Sequence, residues 1–179
     1  MKIRLIFFLV SSLPISGVFA QSSNETTPGK KAISVSANLP VGVFSTTHLI
    51  GIGVDYSPNS AWLFVTREKP FVFTYNAGVA YYFGKKETVS AYPYKYPGYL
   101  VIHAAGGVLF NTGKFGMVTL SAGPALGIYN GNTRFNIGSK MELSYYVSKS
   151  VAIGPGIIFL KESGADPIWS AAFKATIVL

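Results

Sequence analysis

His103 is the side chain best suited to chemistry in this sequence, which holds two histidines and no cysteine. Read with a period of two, Tyr99 to Phe110 puts His103 on one face with Tyr99, Ala105 and Gly107. The matching face of other segments carries Asp55, Lys140, Glu142 and Lys174. A histidine beside an acid is the acid/base pairing of lipid-modifying and acyl-releasing hydrolases, which also need a serine in reach. His103-Ala104-Ala105 sets no serine beside the ring. The competing reading is an interior network in which charges withdrawn from water pair with one another. We expect that network for Asp55, His103, Lys140, Glu142 and Lys174, and no catalytic residue. His48 is expected at the outer rim of its strand. Gly107 to Lys114 fails as a phosphate loop, because its glycine spacing is one residue too long and Phe115 follows Lys114. No cofactor or metal-ligand spacing is present, and the lack of cysteine excludes disulfides and thiolate sites.

The elements that must hold these residues follow from a conflict in composition. The chain is 12% charged and 49% hydrophobic, with a mean hydropathy of +0.37, whereas a soluble domain carries about 25% charged residues. Beyond the first twenty residues no run of about 18 apolar residues occurs, so no spanning helix is expected. Closed β-barrels resolve the conflict: they satisfy their backbone groups internally and show lipid only every second side chain.

Alternation runs through the chain accordingly. Ala32 to Leu39 sets Ile33, Val35, Ala37 and Leu39 against Ser34, Ser36 and Asn38. From His48, Ile50, Ile52, Val54 and Tyr56 oppose Gly51, Gly53 and Asp55. Residues 57–70 either continue this second strand past a bulge to about Val65 or form a separate hairpin arm; the long strand keeps the strand count even. Phe71 to Gly84 carries Phe71, Phe73, Tyr75, Ala77, Val79, Tyr81 and Phe83 on one face. Lys85 to Gly98 reads as a loop with Tyr92, Tyr94 and Tyr96 interleaved with Pro93 and Pro97. These tyrosines suit a sugar- or partner-binding surface, and equally an interfacial aromatic belt that needs no ligand. Further strands are expected at Tyr99 to Phe110, Phe115 to Tyr129, Thr133 to Val147, Val151 to Leu160 and Ile168 to Leu179. The turns include Asn111 to Lys114, Asn130-Gly131-Asn132 and Lys161 to Pro167. The expected fold is all-β: an eight-stranded antiparallel up-and-down transmembrane β-barrel over residues 32–179.

Lys2 and Arg4, the apolar run Leu5 to Val10 and the small residues before Gln21 describe a secretory signal peptide over residues 1–20, cut after Ala20. Polar residues 21–31 form a flexible lead-in. Removing the first twenty residues leaves about 159 residues with a net charge of about +6, scattered rather than clustered. Nucleic acid is not an expected partner; the charge suits anionic lipid headgroups.

The stretches Asn38 to Phe44 (NLPVGVF), His48 to Tyr56 (HLIGIGVDY) and Ala80 to Lys86 (AYYFGKK), with the terminal alternation, resemble the small outer-membrane β-barrel proteins. These are the porin-like group related in shape to the OmpX and OmpA transmembrane barrels. The resemblance implies residence in the outer membrane of a Gram-negative envelope, contact with outer-membrane lipids, and insertion by the barrel-assembly machinery. In such proteins the last strand usually ends in an aromatic residue read by that machinery. Here the chain ends in Leu179, so Phe173, Ile177 and Leu179 together are expected to carry the signal. A structural or surface-interaction role is expected, with a filled interior and no catalysis. A narrow porin-like pore and a lipid-modifying enzyme are the alternatives.

Overall fold

The computed structural model describes residues 31–58, 71–89, 92–112, 116–162 and 164–179. The expected signal peptide, all but the last residue of the lead-in, and most of the 57–70 segment lie outside these residues.

Eight strands close into one antiparallel barrel: β1 (Ala32–Val41), β2 (His48–Ser57), β3 (Phe71–Gly84), β6 (Tyr99–Asn111), β7 (Met117–Tyr129), β8 (Asn132–Tyr146), β9 (Val151–Glu162) and β10 (Ile168–Val178). Each strand pairs with its sequence neighbours in the barrel, and β1 pairs with β10 from Ala32↔Val178 to Val41↔Trp169. Both ends of the described chain therefore sit at one end of the barrel. At the far end lie a one-turn helix, α1 (Phe44–Thr47), and a separate two-stranded extension, β4 (Lys86–Val89) with β5 (Tyr92–Lys95). β2 ends at Ser57, with a register irregularity between His48 and Gly51.

Alternation governs which way each side chain points. On β1, Ala32, Ser34, Ser36 and Asn38 are buried while Ile33, Val35 and Leu39 are exposed. The exposed series continues around the barrel through Val54, Phe73, Ile102, Leu126, Phe135, Ile157 and Phe173. An apolar belt of this extent on the outside, with serine, threonine, asparagine and charge on the inside, is the inverse of a soluble barrel and the pattern of one solvated by lipid. Among the described residues no helix is long and apolar enough to cross a membrane, so the crossing falls to the strands.

Three prolines lie within strands of the barrel, and each coincides with a lapse in a ladder. Pro40 pairs with Ser170 of β10 but lies past the last β1–β2 pair, Asn38↔Gly51. Opposite Pro124 the β6–β7 ladder skips from His103↔Ala125 to Gly106↔Ala122 without changing register. Near Pro155 the β8–β9 ladder skips from Glu142↔Gly156 to Tyr145↔Ile153. A residue with no N–H can sit in a strand where one side of its ladder is left unmade.

Two differences from the sequence reading shape the far end. Lys85 to Gly98, expected as a loop, contains the β4–β5 hairpin, which prolongs the wall beyond β3 and β6 through the Tyr96 N–H to Lys85 C=O bond at 2.9 Å. β9 runs on to Glu162, two residues past its expected end, and carries that carboxylate up to the mouth. The Asn130–Gly131 turn behaves as its composition predicts, with φ of 49° and 78°, the twisted two-residue hairpin geometry.

Candidate functional site: the barrel interior and its far mouth

Strand parity brings all five expected polar residues inside, where they form two groups. Asp55 of β2, His103 of β6 and Lys140 of β8 meet near the middle: His103 Nε2 lies 2.6 Å from Asp55 Oδ1, and Lys140 Nζ lies 2.9 Å from the same oxygen and 2.7 Å from Nε2. Nε2 can donate to Asp55 or accept from Lys140, but one nitrogen cannot do both with a single proton. Nearer the termini, Lys174 of β10 donates to Glu142 of β8. Lys174 thus pairs with Glu142, while Asp55 is taken by His103 and Lys140. The two acids and two lysines balance one another, which is how charge is tolerated away from water. Gly78, the register partner of Asp55 on β3, lacks the side chain that would collide with the Asp55 carboxylate.

Hydroxyls fill the space between. Ser34 and Thr176 share a hydrogen bond of 2.8 Å across the β1–β10 seam. Among the described residues, interior voids of about 30 Å³ lie beside Asn38, Asp55 and Lys140 and beside Glu142 and Lys174. Each is room for about one or two waters. The Asn38 amide, fully buried and without a protein partner, borders the first.

Above the charges an aromatic plug closes the barrel, and the sequence reading did not foresee it as a unit. Phe44, delivered by α1, stacks on His48 at 4.3 Å and meets Tyr82 and Tyr99 edge-on at 5.1 and 5.8 Å. The Tyr82 hydroxyl accepts from Ser170 Oγ at 3.2 Å, and the Tyr99 hydroxyl accepts from Asn136 Nδ2 at 2.9 Å. Glycines make the room. A Cβ at Gly51 would lie 2.6 Å from the Tyr82 ring, and one at Gly127 would overlap the Tyr99 hydroxyl. His48 heads β2 at the far end, yet the residue is 3% exposed: it belongs to the plug rather than to the open rim expected for it, with Nδ1 2.8 Å from Thr47 Oγ1. The inward parity of Tyr82 and Tyr99 was legible. The arrival of Phe44 was not, because a four-residue helix leaves no periodic trace.

Beyond the plug the far mouth opens as a cup of about 350 Å³. Its floor is Phe44, His48, Tyr99 and Tyr129; its rim is Asn132, Arg134, Glu162 and Asp166. Lys161 Nζ ties the β9–β10 connection by donating to Ala165 C=O at 2.8 Å, next to Asp166. Outside the cup, the hairpin carries Lys86, Glu87, Tyr92, Tyr94 and Lys95 in solvent, with Lys85 and Tyr96 at its base. Tyr94 and Tyr96 meet edge-on at 4.9 Å. The Glu87 carboxylate beside Tyr96 pushes that phenol above its ordinary pKa. Phe173, Ile177 and Leu179 all project outward from the last strand. Among the described residues no group of three or more His, Cys, Asp and Glu is placed to hold a metal.

Comparison with protein-family models and with curated proteins finds no match. Solved structures do match. The chain is similar to the outer-membrane protein Ail of Yersinia pestis in a phospholipid bilayer nanodisc (TM-score 0.54, 10% identity, 84% of this chain and 99% of that one). It is similar to Ail in complex with the heparin analogue sucrose octasulfate (0.52, 11%, 84% and 97%). It is also similar to the N-terminal β-barrel domain of Pseudomonas aeruginosa OprF (0.51, 9%, 84% and 98%). At these identities the likeness is one of fold. The closed barrel, its apolar exterior and these neighbours agree: the chain has the fold of the small eight-stranded outer-membrane β-barrel proteins.

Proposed function

We propose that this chain is an integral outer-membrane barrel with a structural or surface-interaction role, and that it neither conducts solutes nor catalyses a reaction. The observation that carries the reading is the filled lumen: paired charges, hydroxyls and an aromatic plug leave interior voids of about 30 Å³. A narrow pore would need continuity from the terminal end to the far mouth, and Phe44, Tyr82 and Tyr99 stand across that path. Against acyl transfer, the polar partners of His103 among the described residues are Asp55 and Lys140, neither of them a nucleophilic hydroxyl. Purified protein in planar bilayers is expected to give no stable unitary steps; such steps would overturn the plugged reading.

In the same reading, residues 1–20 direct export and are removed after Ala20, and residues 21–31 lead into the barrel. Phe173, Ile177 and Leu179 present the last strand to the barrel-assembly machinery, with the far end facing the exterior. The hairpin bearing Tyr92, Tyr94 and Tyr96 is then the outermost feature. Its lysines at 85, 86 and 95 and its exposed rings suit an anionic sugar, the chemistry of the sucrose octasulfate held by Ail. Retention on heparin resin that falls with salt, and falls further in the Lys86→Gln/Lys95→Gln variant, is expected. Equal retention of that variant would remove the hairpin from the reading.

A further inference from the structure

The cup at the far mouth is chemically distinct from the hairpin and stands independently of it. From its lining we infer that it is a binding site for a small organic cation, an ammonium carried on a short apolar body. Its volume, about 350 Å³, lies within the range of about 300–1,000 Å³ typical of small-molecule pockets, and barrel mouths are among the places where such pockets form. Its lining combines an aromatic floor with the carboxylates of Glu162 and Asp166 and one cation, Arg134; the Lys161 ammonium is held at the rim on the Ala165 C=O. Aromatic faces attract cations through the negative charge above the ring, most strongly where water is excluded.

The state of Glu162 points the same way. The residue is buried, with 9% of its surface exposed, and it faces the cup. Among the described residues its charged partner is Arg134, Nε at 3.5 Å, beyond ordinary hydrogen-bond range, from a side chain that is 57% exposed. A carboxylate withdrawn from water normally takes short, charge-assisted bonds. Here one arm of the pair lies largely in solvent and the buried arm is held only by a long contact. An ammonium entering over Tyr129 and Tyr99 would meet Glu162 from inside the cup and displace Arg134 towards water. Asp166 closes the rim behind it. Arg134 is thus a resident competitor for the cation site.

The test is calorimetric titration of the purified, detergent-solubilised protein with choline, and with 3,3-dimethyl-1-butanol, the same shape without the charge. Choline is expected to bind saturably and the neutral isostere about tenfold more weakly, the scale of a desolvated cation–π contact with its ion pair. Glu162→Gln is expected to lose about tenfold in choline affinity, and Arg134→Gln to gain about threefold because the competitor is gone. Nα-acetyl-lysine amide as a separate titrant distinguishes a primary ammonium, as on a partner's side chain, from a free quaternary amine. Heat-modifiable gel migration verifies the barrel in each variant. Should Glu162→Gln not fold, Asp166→Asn in the exposed connection replaces it, with a smaller loss in the same direction. Equal affinity for choline and its isostere, no saturable choline binding, or weaker binding by Arg134→Gln would each overturn the inference.

Discussion

Replacing Lys174 by methionine isolates what the interior charges do for stability. The side chains of Lys174 and Glu142 are 14% and 9% exposed, so the pair is not the solvent-screened surface kind worth at most about 1 kcal/mol. The ladder partners of Lys174 are Ser36 and Gly154, and those of Glu142 are Thr119 and Gly156, none of them charged; the inward cation two residues along β8, Lys140, is engaged by Asp55 and His103. Removing one partner of a buried pair costs about 3–5 kcal/mol, a large share of the roughly 5–15 kcal/mol that holds a domain folded. With a urea slope of about 1–3 kcal/mol per molar, the unfolding midpoint in detergent should fall by about 2 M. Glu142→Leu alone should cost a similar amount, because it strands the ammonium. The double variant, which removes both charges, should return to within about 1 kcal/mol of the parent or exceed it. The assay is urea unfolding of all four proteins, read by tryptophan fluorescence and by gel migration. If the two single costs simply add in the double variant, with a coupling below about 0.5 kcal/mol, the pair contributes nothing as a pair and the reasoning fails.

Other expectations test the wall and the far end. Val54 lies in a row with Val35 and Val79 on the lipid side, so Val54→Arg should cost about 2–4 kcal/mol if the row sits near the bilayer midplane; folding titrations into vesicles measure it. Gly51→Val should force the Tyr82 ring aside and cost about 1–3 kcal/mol, seen as a lowered thermal midpoint. Gly131→Val, which places a β-branched residue at φ 78°, should cost at least about 1–2 kcal/mol in the same measurement. Glu87→Gln should bring Tyr96 ionisation to a lower pH, because the carboxylate now disfavours the phenolate; ultraviolet difference titration would show no change if the two groups do not interact.

The strands were legible because lipid imposes one rule on every outward position. From Ile33 on β1 to Ile177 on β10, parity alone told outside from inside, and that parity placed Asp55, His103, Lys140, Glu142 and Lys174 within the lumen. Which charge meets which was not legible. Partners across the lumen depend on the height of each residue along the barrel axis, set by tilt and by the stagger of the whole closed sheet. Asp55 and Glu142 look alike in sequence, yet the first takes His103 and Lys140 and the second takes Lys174. The far end was least legible. Phe44 opens a single helical turn, too short for periodicity, that ends just before His48 at the head of β2, and Pro93 within Tyr92–Lys95 disguised a paired segment as a loop. Glu162 was hidden for a similar reason, as the second of two charged residues beyond an apolar run that ends at Leu160.

The pairing of β1 with β10 has a consequence for how the molecule comes into being. Every other ladder joins strands separated by one connection, but the seam joins Ser34 to Thr176, 142 residues apart. It cannot form until both terminal strands are in place, so a partly assembled sheet carries two unpaired edges. Such edges invite pairing with other chains, and long-range closure is the slow part of assembling a sheet. The hydrogen bond between the Ser34 and Thr176 side chains lies at this last join, and its loss should be felt more in the rate of closure than in the finished wall.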